Sequence, residues 1–296
     1  MGRKPSVALL GTGKLASFLA PALAQAGYRV TEIVARGSGE SLKRARALAR
    51  LVGARTATAA SAQLNATLLW FAVPDAEIRP AAESVLEALA GRARLAHAPT
   101  SVPRLAFHSS GALASEELGA LQKAGIAVAS VHPLMTFVAR SKPSLAGVPF
   151  AVEGDRAAVR TARGIVRELG GRSFTLAARL KPAYHAWATM TSPLLLAYLV
   201  AVEKVAGAAG LTQEEARRMS LPIMRQTLEN YARLGPADSF SGPFIRGDAA
   251  TVEKHLALLE RNPKVGAVYV ALARLALHGL PVRNQKKLLG LVEGFL

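Results

Sequence analysis

The stretch Val7-Ala8-Leu9-Leu10-Gly11-Thr12-Gly13-Lys14-Leu15-Ala16-Ser17-Phe18 decides the fold of this chain. An apolar run enters a glycine-rich turn, and a helical pattern follows at once, which is the G-x-G-x-x-A form of the dinucleotide-binding fingerprint. Gly11 permits the tight turn, Gly13 lets the backbone approach a pyrophosphate, and Ala16 lets the helix pack closely on the strand. The residues that we expect to bind a dinucleotide at the helix N-terminus are Gly11, Thr12, Gly13, Lys14, Leu15 and Ala16.

Strand and helix patterns alternate outward from this turn through the first half of the chain. Such alternation implies right-handed crossovers and a parallel, doubly wound sheet. A Pro/Ser/Gly-rich connection at 137–149 interrupts the pattern, and from Lys181 onward the chain reads as almost wholly helical. The sequence therefore predicts an α/β domain of the Rossmann type over residues 1–150 and a mainly helical domain over 151–296. The predicted strands are 6–10, 29–35, 68–73, 105–108, 126–131, 150–153 and 172–176, and the predicted helices between them are 15–25, 40–51, 76–89, 113–124 and 157–169.

The end of the second predicted strand indicates which dinucleotide to expect. An NAD site usually has a carboxylate there, whereas an NADP site offers cations and hydroxyls to the 2′-phosphate. Arg36 and Ser38 stand at this place, and Lys43 and Arg44 follow within the next helix. Glu32 is the competing NAD residue, but it lies three residues before the strand end, and we expect it to face away. The pattern predicts NADP(H) as the cofactor.

Two later strand ends supply further candidates for cofactor binding, because ligands of doubly wound sheets bind at the carboxyl ends of the strands. Val73 and Pro74 are expected to touch the nucleotide, and His108 and Ser109 to lie beside its nicotinamide. Each has a structural alternative. The turn after Pro74 can be a simple helix start capped by Asp75, and the polar loop after the later strand can be a helix cap.

The candidates for proton transfer and substrate binding come from three places in the sequence. Ser110 follows a strand end, His132 follows another, and Lys181 and His185 lie four residues apart on one face of a predicted helix. A lysine or a histidine can polarise or protonate a carbonyl during hydride transfer, so His132, Lys181 and His185 are candidate catalytic residues, and Ser110 is a fourth. Tyr184 is a candidate substrate-binding residue. Each histidine can instead be a hydrogen-bonded structural residue.

Two features mark the second half of the chain. A Gly-Pro loop leads into Arg246-Gly247-Asp248, where Arg246 and Asp248 are candidate substrate-binding residues and Asp248 can also cap the helix that begins near Ala249. The run 182–202 carries no formal charge if His185 is neutral, and it is about long enough to span a bilayer. Its hydroxyl residues and many alanines favour a helix buried in the core of the helical domain instead.

The composition narrows the class of protein. A chain of 296 residues with 51% apolar and 19% charged residues is typical of globular proteins. It has no cysteine, which excludes disulfides and thiolate metal sites and favours the cytoplasm. The net charge of +17 is spread along the chain and favours an anionic ligand rather than nucleic acid, for which no binding motif is evident. We expect no membrane partner, no serine-hydrolase elbow and no bound metal.

The chain resembles proteins that pair a Rossmann-like domain with the domain of unknown function numbered 2520, which are similar to deazaflavin-dependent NADP oxidoreductases. It resembles pyrroline-5-carboxylate reductase, ketopantoate reductase and 6-phosphogluconate dehydrogenase more distantly. The resemblance covers nearly the whole chain. It is carried by Gly11-Thr12-Gly13-Lys14-Leu15-Ala16, Val73-Pro74-Asp75, His108-Ser109-Ser110-Gly111, His132-Pro133 with Phe137, Lys181 with Tyr184-His185-Ala186, and Gly242-Pro243 with Arg246-Gly247-Asp248.

The resemblance implies an NADP-binding first domain, a helical second domain of the dehydrogenase type for substrate binding and dimerisation, a cleft between them and a homodimer. One departure concerns the long helix, where an Asn is expected and the chain has Thr191-Ser192-Pro193. The missing amide could remove a substrate or cofactor contact. Pro193 also lacks a backbone N–H and is expected to kink the helix.

These observations predict an NADP(H)-dependent oxidoreductase that acts on a small, anionic carbonyl or imine compound. The alternative is a dinucleotide-binding sensor or scaffold without turnover, because a fold does not by itself establish catalysis.

Overall fold

The computed structural model describes residues 4–95, 103–138 and 144–295, so that part of the expected connection at 137–149 lies outside the described residues. The chain divides into two compact units, Met1–Thr189 and Met190–Leu296. This division comes later than the boundary at residue 150 that the sequence predicts, because two further strands and a helix after residue 148 extend the sheet of the first unit.

The first unit is built on one sheet, which has eight strands within the described residues, in the order β3-β2-β1-β4-β5-β6-β7-β8. The strands are β1 Val7–Leu10, β2 Val30–Ala35, β3 Arg55–Thr58, β4 Leu68–Phe71, β5 Leu105–His108, β6 Ala127–Pro133, β7 Pro149–Gly154 and β8 Arg172–Thr175. Neighbouring strands are parallel except β6 and β7, which are antiparallel. The predicted doubly wound sheet is therefore confirmed, with β7 and β8 added at one edge.

Helices cover both faces of this sheet, which is why its central strands are apolar without alternation. The helices of this part are α1 Lys14–Gln25, α2 Glu40–Val52, α3 Ile78–Leu95, α4 Gly119–Lys123, α5 Arg156–Glu168 and α6 Lys181–Thr191. Buried residues of α1, α2 and α5 share one hydrophobic cluster with alternate strand residues such as Val7 and Leu9. Buried residues of α3 and α4 share the other with Ala8 and Leu10.

Several predicted elements differ from the structure in their bounds. Strand β3 was absent from the prediction because its sequence, Arg55-Thr56-Ala57-Thr58, is short and polar, which suits an edge strand. The predicted helices 76–89 and 113–124 begin instead with the 3-10 turns Asp75–Glu77 and Ser115–Leu118. The chain thus tightens directly after β4 and again after the loop that follows β5.

The second unit is helical, as the sequence predicts. Its helices are α7 Pro193–Ala208, α8 Gln213–Ser239 with a break at Gly235, α9 Pro243–Arg246, α10 Ala249–Leu259, α11 Pro263–Gly279 and α12 Gln285–Glu293. Thr212 and Glu215 form a capping box at the start of α8. Residues of α10, α11 and α12 form the main core of this unit, which contains Val252, Val270 and Leu288.

The apolar run 182–202 does not form the buried core helix that the sequence predicts. Helix α6 ends at Thr191, Ser192 leaves helical geometry, and Pro193 begins α7, so the expected kink is present. One helical run within the described residues, Ala178–Ala208, has the length and apolar composition to cross a membrane. Helix α7 packs on α8 and α11, which cover only part of its surface. Leu196, for example, remains 62% exposed.

Candidate functional site

The turn after β1 requires glycine at one position and leaves open space at another. Gly11 donates its N–H to the carbonyl of Val34 at 2.9 Å and has φ +116°. A Cβ at Gly11 would lie 2.2 Å from the carbonyl oxygen of Ala72. A Cβ at Gly13, which has φ −75°, would meet nothing within 4 Å, and Ala16 behind it is fully buried. Gly11 is therefore needed for the fold, whereas Gly13 leaves room for a ligand.

This turn opens into a cleft of about 560 Å³. Six of the predicted cofactor residues line it: Gly11, Thr12, Gly13, Arg36, Val73 and Pro74. The other six predicted cofactor residues lie outside its lining: Lys14, Leu15, Ala16, Ser38, His108 and Ser109. Apolar side chains from the residues after β3 and from α3 complete the lining, among them Ala59, Ala62, Leu64, Pro80, Ala81, Val85 and Ala88. The cleft thus combines an apolar part, which suits an aromatic base, with backbone N–H groups at a helix start, which suit phosphate.

The polar groups of the cleft are mostly cationic or hydroxyl-bearing. Arg36 and Arg44 line it together with Ser41, whose Oγ lies 3.2 Å from Oγ1 of Thr12. Nη2 of Arg36 lies 3.1 Å from a carboxylate oxygen of Glu77. A guanidinium pair with adjacent hydroxyls suits a phosphate group. Ser41 was not singled out from the sequence, although its place one residue into α2 could have suggested it.

Glu32, the residue that would favour NAD, is used elsewhere. Its carboxylate is buried and pairs with Arg55 of β3. It also accepts hydrogen bonds from the backbone N–H groups of Gln63 and Leu64 at 3.1 and 2.9 Å. These contacts satisfy the carboxylate, which does not line the cleft. The expectation that Glu32 faces away is therefore confirmed.

A second cluster of candidate residues lies at the carboxyl ends of β5 and β6. Lys181, at the start of α6, is only 1% exposed. Its Nζ donates to the carbonyl oxygen of Ser110 at 2.9 Å and to Oγ of Ser130 at 2.6 Å. Burial lowers the pKa of Lys181 to about 8, while the carboxylates of Glu153 and Asp75 act in the opposite direction. The ammonium thus ties α6 to β6 and to the loop after β5.

His132 and Tyr184 form a hydrogen-bonded pair in the same cluster. Nδ1 of His132 lies 2.7 Å from the Tyr184 hydroxyl. Burial lowers the pKa of His132 to about 4, with the charge of Lys181 acting in the same direction, and burial raises the pKa of Tyr184 to about 12. Both groups are therefore neutral at pH 7. A Cβ at Gly111 would lie 2.7 Å from the His185 ring and 2.8 Å from Nε2 of His132, so glycine is needed for the two imidazoles to approach this loop.

The loop 108–115 is held by hydrogen bonds within itself and by bonds to Asp75 and Trp70. Oγ of Ser110 donates to Asp75 at 2.9 Å and accepts from the backbone N–H groups of residues 112 and 113. Nδ1 of the fully buried His108 accepts from the N–H of Ser110 at 3.1 Å, and Nε2 lies 2.9 Å from the carbonyl oxygen of Ala114. Oγ of Ser109 accepts from the indole of Trp70 at 2.9 Å. The structural alternative that the sequence left open for these residues is thus present in the structure.

Burial and internal bonds also set the charge state of His108. Burial lowers its pKa to about 4, with the hydrogen bond to Ala114 acting in the opposite direction. Since Nδ1 accepts a hydrogen bond, the proton of the neutral ring lies on Nε2 and is donated to the carbonyl of Ala114. This ring therefore holds the loop and has no free proton to transfer.

The two substrate-binding candidates of the second half lie in the second unit. Asp248 accepts hydrogen bonds from the backbone N–H of Thr251 at 3.1 Å and from its hydroxyl at 2.7 Å. These bonds hold the pKa of its carboxyl below the ordinary range. Asp248 caps α10, as the sequence predicts, and Arg246 ends the short helix α9. Among the described residues, no group of three or more His, Asp or Glu side chains could hold a metal ion.

The comparison with solved structures finds the same fold in reductases. A protein of Bacteroides fragilis, BF3122, is 21% identical over 92% of this chain and 97% of its own, with a TM-score of 0.72. An imine reductase from Myxococcus stipitatus in complex with NADP+ is 16% identical over 94% of this chain and 96% of its own, with a TM-score of 0.67. A Plasmodium falciparum pyrroline carboxylate reductase with NADP bound is 12% identical over 98% of this chain and 97% of its own, with a TM-score of 0.57. These likenesses establish the fold.

Two family models match the chain. Residues 2–133 match the Rossmann-like domain, and residues 148–276 match the domain of unknown function DUF2520. The comparison with curated proteins finds no match. The second model begins at β7 and so spans the end of the first unit and much of the second. The chain therefore joins a Rossmann-like domain to a DUF2520 domain, the pair that its motifs predict.

Proposed function

We propose that the chain is an NADP(H)-dependent oxidoreductase that transfers a hydride to or from a small, anionic carbonyl or imine compound. The observation that carries this proposal is the cleft beside Gly13, where Arg36, Arg44 and Ser41 supply phosphate ligands and no carboxylate of β2 is available for a ribose. Solved structures of the same fold include an imine reductase and a pyrroline carboxylate reductase with NADP bound.

Each part of the cofactor has residues of matching chemistry. In this proposal the turn Gly11-Thr12-Gly13 and the start of α1 hold the pyrophosphate. Arg36, Ser41 and Arg44 hold the 2′-phosphate, with Ser41 taking the role expected for Ser38, which lies outside the cleft. Val73 and Pro74 contact the nucleotide. The bound cofactor supplies the hydride chemistry, and the protein supplies binding and orientation.

We propose that His132 and Tyr184 deliver the proton that accompanies the hydride. The neutral phenol donates to Nδ1 of His132, which leaves the ring hydrogen on Nε2. When Nε2 gives its proton to a substrate oxygen or nitrogen, the phenol proton moves to Nδ1. When Nε2 then takes up a proton from solvent, the Nδ1 proton returns to the phenolate oxygen, which restores both groups. A ring whose pKa is about 4 serves as a relay at pH 7, because it carries only one proton at that pH.

Lys181 has a positioning role in this proposal. Its Nζ is buried and bonded to Ser110 and Ser130, so it fixes the loop beside which His132 stands. This arrangement also supports the rival function, dinucleotide binding without turnover. If the internal bonds of Lys181 and Ser110 are their whole role, fewer groups remain for chemistry.

A turnover assay separates the two functions. NADPH oxidation is followed with cyclic imino acids and 2-oxo acids as substrates, and NADPH affinity is measured in parallel. His132→Asn is expected to lower kcat at least about 100-fold and to leave the NADPH Kd within twofold, since only proton transfer is lost. His255→Asn is the matched control, because His255 lies 3.0 Å from the Tyr269 hydroxyl in the second unit. Full activity in His132→Asn would contradict the relay. NADPH binding with no turnover of any substrate would favour the rival function.

We also propose that a second copy of the chain covers the apolar surface of α7 and α8. Twelve large apolar side chains of these helices are exposed in the single chain, more than isolated surface residues would explain. They are Leu194, Leu195, Leu196, Tyr198, Val200, Val205, Met219, Leu221, Ile223, Leu228, Tyr231 and Leu234. The lack of cysteine in the sequence supports the cytoplasm as the compartment of this dimer.

Light scattering after size-exclusion chromatography tests this surface. The unchanged chain is expected to elute as a dimer, and Leu196→Glu as a monomer, because the substitution buries a carboxylate in the proposed interface. Leu51→Glu is the control, since Leu51 is 69% exposed on α2 of the first unit and does not belong to α7 or α8, and the variant is expected to stay dimeric. A monomeric unchanged chain, or a chain that needs detergent to stay in solution, would contradict the proposal.

A further inference from the structure

Glu77 is the one acidic side chain among the described residues that line the cleft. It ends the 3-10 turn Asp75–Glu77, directly after Pro74 and before α3 begins. Arg36 directly follows β2, whereas Glu77 follows β4, and β1 lies between these two strands in the sheet. The 3.1 Å ion pair between Glu77 and Arg36 thus joins two separate parts of the cleft lining.

We propose that Glu77 is a specificity-determining residue that competes with the 2′-phosphate of the cofactor for the Arg36 guanidinium. This inference rests on the proposed function. Without a phosphate, the carboxylate holds the guanidinium at the cleft. When a phosphate binds, it replaces the carboxylate on Arg36, and Glu77 remains as a negative charge near it.

The exposure of the two partners makes this exchange feasible. The side chain of Arg36 is 68% exposed and that of Glu77 is 42% exposed, so water screens the pair and it is weak. A phosphate monoester carries close to two negative charges at pH 7 and offers three acceptor oxygens to a guanidinium. Arg44 and Ser41 line the same cleft, so they offer a second cation and a hydroxyl to a bound phosphate. The carboxylate of Glu77 pairs with Arg36 and bonds to neither of them. The phosphate is therefore the stronger ligand.

The expected consequence is a limit on the preference for phosphorylated nucleotides. The carboxylate lowers affinity for a 2′-phosphate in two ways, by occupying Arg36 beforehand and by repelling the phosphate afterwards. A nucleotide without a 2′-phosphate meets neither effect. Removing the charge of Glu77 should therefore strengthen binding of nucleotides that carry a 2′-phosphate and leave binding of nucleotides without one unchanged.

Calorimetric titration with 2′,5′-ADP and with 5′-AMP tests the inference, because these probes differ only in the 2′-phosphate. Glu77→Gln is expected to bind 2′,5′-ADP about two- to fivefold more tightly at moderate salt, the range for one exposed ion pair, with 5′-AMP unchanged. Glu40→Gln is the matched control, since Glu40 pairs with Lys43 at 3.7 Å outside the cleft lining, and it should change neither affinity. In an Arg36→Ala background the gain from Glu77→Gln should shrink.

Three outcomes would overturn the inference. Equal or weaker binding of 2′,5′-ADP by Glu77→Gln would mean that the carboxylate holds Arg36 in place for the phosphate. An undiminished gain in the Arg36→Ala background would mean that Glu77 does not act by occupying Arg36, but only by repelling the phosphate or through another cation. If the unchanged chain binds 2′,5′-ADP no more tightly than 5′-AMP, the cofactor assignment itself fails. If the unchanged chain prefers 2′,5′-ADP and Glu77→Gln leaves that preference unaltered, only the role of Glu77 fails.

Discussion

Replacing the two glycines of the first turn by alanine should have opposite effects on stability and on binding. At Gly11 a Cβ would lie 2.2 Å from the Ala72 carbonyl oxygen and 2.6 Å from its carbon, and the backbone has φ +116°. Such backbone geometry costs a non-glycine residue about 1–3 kcal/mol. The overlap with a strand end that cannot move freely adds about 1–3 kcal/mol. The lower entropy of the unfolded alanine chain returns about 0.4–1 kcal/mol.

The net expectation for Gly11→Ala is a loss of about 1–5.6 kcal/mol of unfolding free energy. For a unit of this size the melting temperature falls by about 2–4 °C per kcal/mol, so a decrease of about 2–22 °C should be seen by circular dichroism. Gly13→Ala is the matched control for the fold. Its φ of −75° is ordinary and its Cβ meets nothing within 4 Å, so stability should change by about 1 kcal/mol or less, the scale of an altered helix cap.

Gly13→Ala should keep the stability of the fold but weaken binding of the cofactor. Its added methyl occupies the space through which a pyrophosphate reaches the backbone, so NADPH affinity measured by calorimetry should fall at least about tenfold. The reasoning would be refuted if Gly11→Ala melted at the temperature of the unchanged chain. It would also be refuted if Gly13→Ala bound NADPH as tightly as the unchanged chain.

Three further predictions concern buried titratable groups and the loop that they hold. The pKa of Lys181 is lowered to about 8 in the folded chain, so between pH 8 and 10.5 the unfolded chain holds a proton that the folded chain has lost, and the unfolding free energy should rise with pH. Urea titrations at about pH 7.5 and 9.5 should show this rise in the unchanged chain and not in Lys181→Met. The pKa of His132 and His108 is lowered to about 4, so stability should fall between pH 6.5 and 4, and His132→Asn should reduce that fall in acid titrations. Gly111→Ala, whose Cβ would lie 2.8 Å from His132 Nε2 and 2.7 Å from the His185 ring, should displace these two imidazoles and lower kcat more than it lowers NADPH affinity.

The fold was largely predictable because its signals are local. The glycine turn, the alternation of strand and helix and the polar strand ends each depend on a few neighbouring residues, and all are present in the structure. Strand β3 was not predictable, because Arg55-Thr56-Ala57-Thr58 forms an edge strand through its pairing with β2 rather than through its own pattern.

The candidate site was predictable in its members and less so in their roles. The spacing of Lys181 and His185 indicates a shared helical face, but it carries no information on depth, and only packing shows that Lys181 is buried against Ser110 and Ser130. Similarly, the pairing of Arg36 with Glu77 joins residues that are distant in sequence. The apolar run 182–202 indicated a buried helix, yet whether such a helix is covered depends on partners that its own composition does not specify.

The central claim is that the cleft binds NADP(H) through Arg36. Its most direct test is calorimetric titration of the purified chain with NADPH and separately with NADH, repeated with Arg36→Ala. The account predicts micromolar NADPH binding at least about tenfold tighter than NADH binding, the scale of one charge-assisted phosphate contact, and loss of most of that preference in the variant. Equal affinity for both nucleotides, or a preference that survives in Arg36→Ala, would contradict it.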